Sequence, residues 1–276
     1  MQRQDFKKTD DMFNRVLGKD HIAVICLFEN IHTGTRFIIA NAHIHWDPAY
    51  RDVKVVQVAL LIEEVEKLAS SFARYPPPKV LSGAGHFSDM VSEGSEGDGN
   101  EGSLADLSSP HSSPPHSASS AAPTSAFPRH PPIYTDGSKI PLIICGDFNS
   151  VPVSGVYEFL SMGSLPPNHP DFMSHTYGRY TSEGIRHRLG LKSAYAGLSE
   201  HERGVGEGEM MSAKAGMESG EGGDVPLTNY TPSFRGVLDY VFFSAANLSV
   251  NKVLGGVDRA YLDTVVGFPN AHFPSE

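Results

Sequence analysis

The chain has 276 residues, a formal charge of −10 and 39% hydrophobic residues, enough for one large domain or two small ones with a real core. Such a charge argues against a partner as acidic as nucleic acid, because phosphate binding relies on Lys and Arg. The excess is local, however: residues 83–138 hold seven acids and one base, residues 199–224 hold seven acids and two bases, and the remainder is close to neutral. No stretch approaches the roughly 20 uninterrupted apolar residues of a membrane helix, and the start "MQRQDFKKTDD" lacks the apolar segment of a secretory signal. Cys26 and Cys145 each sit inside an apolar run and read as buried free thiols, so a soluble protein of a reducing, intracellular compartment is expected.

In chain order, "HIAVICLFE" and "RFIIANAHI" are rich in β-branched and aromatic residues and flank the turn-forming "NIHTGT", which predicts a hairpin. Trp46 and Pro48 then begin a turn into a helix with Asp52 as a cap-like residue. In "RDVKVVQVALLIEEVEKLASSFARY", Leu61, Val65, Leu68 and Phe72 recur at helical spacing with Glu63, Glu64, Glu66 and Lys67 on the other face, so this helix packs on a sheet. Residues 83–138 form a Ser/Pro/Gly/acidic insert whose composition reads as disorder, and 199–224 form a shorter acidic, Gly-rich one. They suit regulatory arms or, more plainly, surface insertions whose loop closure costs little. "KIPLIICGDF" reads as a buried strand, "SGVYEFLSM" as a short helix after Pro152, and "GVLDYVFFS" with "LSVNKVLG" as a second hairpin. Strands separated by helices and hairpins imply an α/β layered fold with a mixed sheet.

Polar clusters end the apolar runs, where strand termini commonly open onto sites. In "GDFNS", strand alternation puts Asp147 and Asn149 on one face and Phe148 on the other. A hard cation or a phosphate fits there, and so does an Asx turn that merely closes the strand. In "NAHIHWDP", Asn41, His43 and His45 share a face. Two His without a third strong ligand disfavour zinc, leaving one His as a donor to a phosphate oxygen and the other packed, or both structural. Asp239 interrupts an apolar strand and needs a partner, whether a His, Arg235 or a metal, because an unpaired buried carboxylate is costly. A structural ion pair serves equally.

Taken together, "ANAHIHWDPAYRDVKVVQ", "IPLIICGDFNSVPVSGVYEFLSMG", "LKSAY" and "TNYTPSFRGVLDYVFFS" resemble the exonuclease-endonuclease-phosphatase superfamily with its deoxyribonuclease I-like fold, and within it the carbon catabolite repressor type of poly(A) deadenylase. The resemblance covers residues 10–276 apart from the two inserts, and it implies a four-layer α/β sandwich. It further implies Mg²⁺-dependent 3′-to-5′ removal of poly(A) from messenger RNA with release of AMP. It also implies a subunit of a cytoplasmic deadenylase complex, with the nucleus as a second location and no membrane. Residue by residue, Asp147 and Asn149 match the pair that holds the scissile phosphate and the attacking water, with Asp147 a weak or water-mediated metal ligand. His43 matches the donor to a phosphate oxygen, and Asn229 and Asp239 match the polar pair lining the site. Pro48 and Phe234 match the positions that sandwich an adenine, whose edge Asn149 can also reach.

The family pattern also includes a principal metal-binding Glu on an earlier strand and a water-activating His after the final acid. Neither has a counterpart here, although Glu276 stands where the orienting acid would. An incomplete sandwich and a nearly inert isolated chain are therefore expected. The rival functions are another phosphodiesterase or phosphatase of the superfamily (abasic-site endonuclease, inositol phosphatase or sphingomyelinase) and a noncatalytic fragment that binds RNA or a partner.

Overall fold

Among the residues described by the computed structural model, 10–76, 131–196 and 227–272, the chain builds a five-stranded mixed sheet with helices against one face. The inserts expected at 83–138 and 199–224 lie outside the described residues except for 131–138, as does Glu276. Strands β1 (Ala23–Glu29) and β2 (Arg36–His43) form the expected antiparallel hairpin. Its turn closes where Asn30 Oδ1 accepts the N–H groups of His32 and Thr33, each at 2.9 Å, the short-range bonding that makes Asn a turn residue.

Helix α1 (Arg51–Ala73) then carries the chain to β3 (Leu142–Asp147), which runs parallel to β2, as a crossover helix permits. The carbonyls at the end of α1 are capped by Arg36, whose buried guanidinium donates to Phe72 O at 2.6 Å and to Pro76 O at 3.0 Å, a cation at the negative end of the helix dipole. Before β3, Gly137 lies so close to α1 that a Cβ there would stand 2.6 Å from the Ser70 nitrogen.

Helix α2 (Gly155–Met162) follows, its N-terminus capped by Ser154 Oγ accepting from Tyr157 N–H and its end closed by left-handed Gly163. After it come the short pair β4 (Ser164–Leu165) and β5 (Ile185–Arg186), then β6 (Leu191–Ser193), a second short pair β7 (Asn229–Tyr230) and β8 (Arg235–Gly236), and β9 (Asp239–Ser244). The main sheet has the order β1-β2-β3-β9-β6, with only β2 and β3 parallel.

One face of this sheet is the core. Ile38, Ala40 and Ala42 of β2, Leu142 and Ile144 of β3, and Tyr240 and Phe242 of β9 alternate inward and meet Val53, Val56 and Ile62 of α1 and Val156, Phe159 and Leu160 of α2. On the other face, Val24, Phe28, Phe37 and Val241 remain exposed, with the rings of Phe28 and Phe37 stacked at 4.7 Å. This mixed sheet with helices is the expected α/β class. Among the described residues no helix is long and apolar enough to cross a membrane.

Three expectations change. "LSVNKVLG" does not pair with β9, because both edges of β9 are taken, by β3 and by β6; residues 248–255 run without a strand and leave Val250 and Leu254 exposed. The amphipathic stripe of α1 holds for Leu61, Val65 and Phe72, but Leu68 is half-buried and the first half of the helix is buried on nearly every side, Lys54 included. Asp52 is no cap. The N-cap is Tyr50, without a side-chain bond, and Asp52 lies fully buried one position inside the helix.

There Asp52 accepts from Arg15 Nε at 2.7 Å and Nη2 at 3.0 Å and from the Tyr177 hydroxyl, joining the helical turn Met12–Val16, α1 and the 175–177 loop. Burial alone would raise its pKa, but the Arg15 and Tyr177 bonds hold it below the usual carboxylate range. A depressed pKa gives stability that is present above the unfolded value of about 3.9 and lost as pH falls through the folded value. Asp52→Asn is accordingly expected to cost about 3 kcal/mol at neutral pH, the scale of breaking a buried pair, with a deficit that narrows below about pH 4. Denaturant unfolding across that pH range measures it, and a pH-independent deficit would contradict the ion pair's role.

Candidate active site

Strands β2 and β3 end, and β9 begins, at the same end of the sheet. The register places His43 opposite Asp147 and Asp147 opposite Asp239, a row across three adjacent strands. Because alternate residues share a face and Ala42, Gly146 and Tyr240 form the next row, the three polar side chains leave the sheet on the side away from the α1 core. Gly146 is what lets β2 and β3 close up here: its φ is 134°, and a Cβ would stand 2.0 Å from Ala42 O.

Within the row, His43 Nε2 lies 3.7 Å from Asp147 Oδ2, with the imidazole side chain 69% exposed and free to turn toward a ligand. The other oxygen, Asp147 Oδ1, accepts the Asn149 N–H at 2.7 Å. That is the Asx turn of the plain reading, and it coexists with the functional one because it occupies one oxygen only. Asn149 consequently does not continue the strand. It adopts a left-handed φ of 46°, and its Nδ2 donates to Ile44 O at 2.9 Å, while Phe148 is fully buried as alternation predicted.

Asp239 is partnered by neither His nor Arg235. Arg235 instead lies over the Tyr230 ring at 4.4 Å, and the Thr228 hydroxyl donates to Asp239 Oδ2 at 2.6 Å while accepting the Leu238 and Asp239 N–H groups. Asp239 is exposed at the start of β9, so the expected buried carboxylate is not found; partial desolvation by its neighbours still raises its carboxyl above the usual range, the Thr228 bond opposes this, Asp147 adds to it and His43 opposes it.

His45 does not share the face of His43. It follows the end of β2, is 5% exposed, and its ring packs edge-on against His21 at 5.0 Å and Tyr50 at 5.2 Å. Burial pushes its imidazole below the usual value, which makes it the packed member of the pair. Cys26 and Cys145 are free and half-buried.

Beside the row, a pocket of about 430 Å³ is lined by Pro48, Asn149 and Phe234 together with Trp46, Arg51 and Lys54. Pro48 comes from the turn before α1 and Phe234 from the tip of the β7–β8 hairpin. Thr231 closes that tip, its N–H donating to Phe234 O and its Oγ1 accepting from Phe234 N–H. Gly236 makes room for the ring, since a Cβ there would lie 2.9 Å from Phe234 Cζ. Asp147 and Asp239 open instead onto an adjoining depression of about 390 Å³ bordered by Thr228. Asn229 sits next to Thr228 on β7, opposite Gly236, and no described hydrogen bond ties its side chain to the two carboxylates.

Thr228, Lys54 and Gly146 are the site-shaping residues that the sequence reading missed. Lys54 had a visible signal, a charge among Val53, Val55 and Val56 where burial was demanded. Its Nζ donates to Asn149 O at 2.6 Å and reaches Trp46 O at 3.4 Å. Burial pushes its pKa down, against the pull of Asp47, Asp147 and Asp171.

Two crowded carboxylates, one held above its usual pKa beside the other's charge, are hard oxygen donors suited to a divalent cation that keeps most of its waters. Among the described residues there is no group of three or more His, Cys, Asp or Glu able to enclose a metal.

Comparison with known proteins identifies the family. The model of the Endonuclease/Exonuclease/phosphatase family matches residues 28–263. The chain is 44% identical over its whole length to the CCR4-Not complex 3'-5'-exoribonuclease subunit Ccr4 of Mycosarcoma maydis and 41% identical to that of Schizosaccharomyces pombe, covering 31% and 30% of those proteins. It thus spans about a third of the length of the curated relatives it matches. A solved structure of the human Nocturnin catalytic domain with bound sulfate overlaps 82% of this chain and 42% of its own at 16% identity and a TM-score of 0.37, too little to weigh further.

A raised carboxylate pKa makes folding less favourable as pH rises from the unfolded value of about 3.9 through the folded value. In chelator-treated buffer, Asp239→Asn is expected to be more stable than the parent at neutral pH and no more stable below about pH 4. Thermal unfolding at both pH values checks this; a variant that is less stable at neutral pH would show that the Asp239 charge is well compensated.

Proposed function

The chain belongs to the endonuclease/exonuclease/phosphatase family, and from that premise we propose that it carries the phosphodiester-cleaving face of a 3′-to-5′ exoribonuclease that shortens poly(A) tails and releases AMP. The observation that carries the proposal is the row His43, Asp147 and Asp239 standing beside a pocket walled by Pro48, Phe234 and Asn149. A phosphate-handling group and a flat slot for a base lie side by side, as a nuclease that reads its terminal nucleotide requires.

In this proposal Asp147, with Asp239 next to it, would hold Mg²⁺, which when bound supplies Lewis-acid polarisation of a phosphoryl oxygen. His43 donates to a non-bridging oxygen as charge develops there. Asp147 and Asn149 hold the scissile phosphate and orient the attacking water, Asp239 and Asn229 line the opposite wall, and Glu276 is the orienting acid. The base stacks between Pro48 and Phe234. Stacking is worth about 1–3 kcal/mol per base and tolerates any base, so selection of adenine falls to the amide of Asn149 at its edge. We extend to the protein a place as a subunit of a deadenylase complex acting on messenger RNA in the cytoplasm and the nucleus, in line with the relatives' names.

With two carboxylates and no larger ligand group among the described residues, this chain by itself is proposed to hold the cation weakly and turn over slowly. The same observation favours a second reading, a noncatalytic RNA-binding role. Digestion of labelled oligoadenylate in Mg²⁺ separates them. The nuclease reading expects AMP release, a rate lowered about 10²-fold or more by Asp147→Ala, and oligouridylate spared. Equal consumption of both homopolymers would remove the poly(A) assignment, and RNA affinity indifferent to Asp147→Ala with no release of AMP would favour the binding role.

A further inference from the structure

Lys54 is 5% exposed, yet its ammonium forms no ion pair among the described residues; the neighbouring acid Asp171 is taken by Arg51 at 3.0 Å. What the ammonium holds is backbone: Asn149 O at 2.6 Å and Trp46 O at 3.4 Å. These carbonyls belong to the two loops that shape the 430 Å³ pocket, the turn after β2 that carries Pro48 and the turn after β3 that carries Asn149.

Each loop has internal bonds of its own, such as Ala49 N–H to Asp47 Oδ1 at 2.8 Å, and Lys54 joins one loop to the other. Asn149 has a left-handed backbone, a conformation that a non-glycine residue keeps only where its surroundings over-determine it. Its N–H and Nδ2 bond to Asp147 and Ile44, and Lys54 supplies the charged bond to the remaining carbonyl. Trp46 is 67% exposed, so packing alone does not fix its turn. The lysine arm rises from the first turn of α1, a helix of 23 residues, where Lys54 N–H bonds Tyr50 O at 3.2 Å.

We propose that Lys54 is a positioning residue: its ammonium clamps the Trp46 and Asn149 backbones together and so sets the placement of Pro48 and Asn149 around a nucleotide entering the pocket. The proposal rests on the nucleotide-pocket reading above, and its test separates the two. Trp46 is the single tryptophan of the chain and lines the pocket, so its fluorescence reports on this site alone.

In the parent protein, titration with AMP is expected to change Trp46 emission. Lys54→Met, with unchanged circular dichroism, is expected to bind AMP about tenfold more weakly or worse, the scale of one charge-assisted hydrogen bond. It should also lower Trp46 anisotropy before any ligand is added, while Lys54→Arg, which keeps the cation, restores both. If Lys54→Met does not fold, Lys54→Gln replaces it in the same comparison. Absence of any AMP response in the parent would sink the nucleotide reading, yet the ligand-free anisotropy would still judge the clamp. Unchanged anisotropy and unchanged AMP affinity in the neutral variant would overturn the clamp and leave the pocket reading standing.

Discussion

The register that holds β3 between β2 and β9 decides where every polar group of the site lands. Ile38, Ala40 and Ala42, Leu142 and Ile144, and Tyr240 and Phe242 are buried on one face, and because side chains alternate, their burial forces His43, Asp147 and Asp239 onto the other. A slip of one residue would set Ala42 against Asp147 and turn a carboxylate into the core, so apolar burial maintains a polar row in which it takes no part. The backbone of Gly146 allows the close approach at that row's edge.

Two carboxylates of this chain sit in contrasting electrostatic settings. Asp52 is wholly buried but meets Arg15 and Tyr177, and its charge is stabilised where it sits. Asp239 is partly desolvated and faces the like charge of Asp147, and its one hydroxyl partner offsets this only in part, so its ionised form is held at a cost. Left-handed Asn149 adds backbone strain at the same place. Strain and an uncompensated charge thus meet at one end of the sheet, the pattern that makes this end a candidate site.

Much of this was legible from residue pattern. The β1–β2 hairpin, α1, β3 and α2 each carry a strong period or a cap and appear where their periods put them. The family motifs led to His43, Asp147, Asn149 and Asp239, and the first, second and fourth stand in one row. What pattern could not convey was pairing across long separations. One partner of β9 is Leu191–Ser193, a segment of three residues, too short for alternation to announce itself, and the hydroxyl partner of Asp239 is a threonine eleven positions upstream. A polar residue such as Asp52 in the first turn of a helix looks solvent-facing until the elements that bury it are known.

Our proposal makes the end of the β2–β3–β9 trio, where His43, Asp147 and Asp239 stand in one row, the place that receives a divalent cation and a phosphate. Paramagnetic broadening of backbone amide resonances by Mn²⁺ tests it most directly. Selective loss of the His43, Asp147 and Asp239 signals at low Mn²⁺ is the expected result. Broadening that spares these three and appears first at other acids, such as Glu63 and Glu66 on α1, would contradict it.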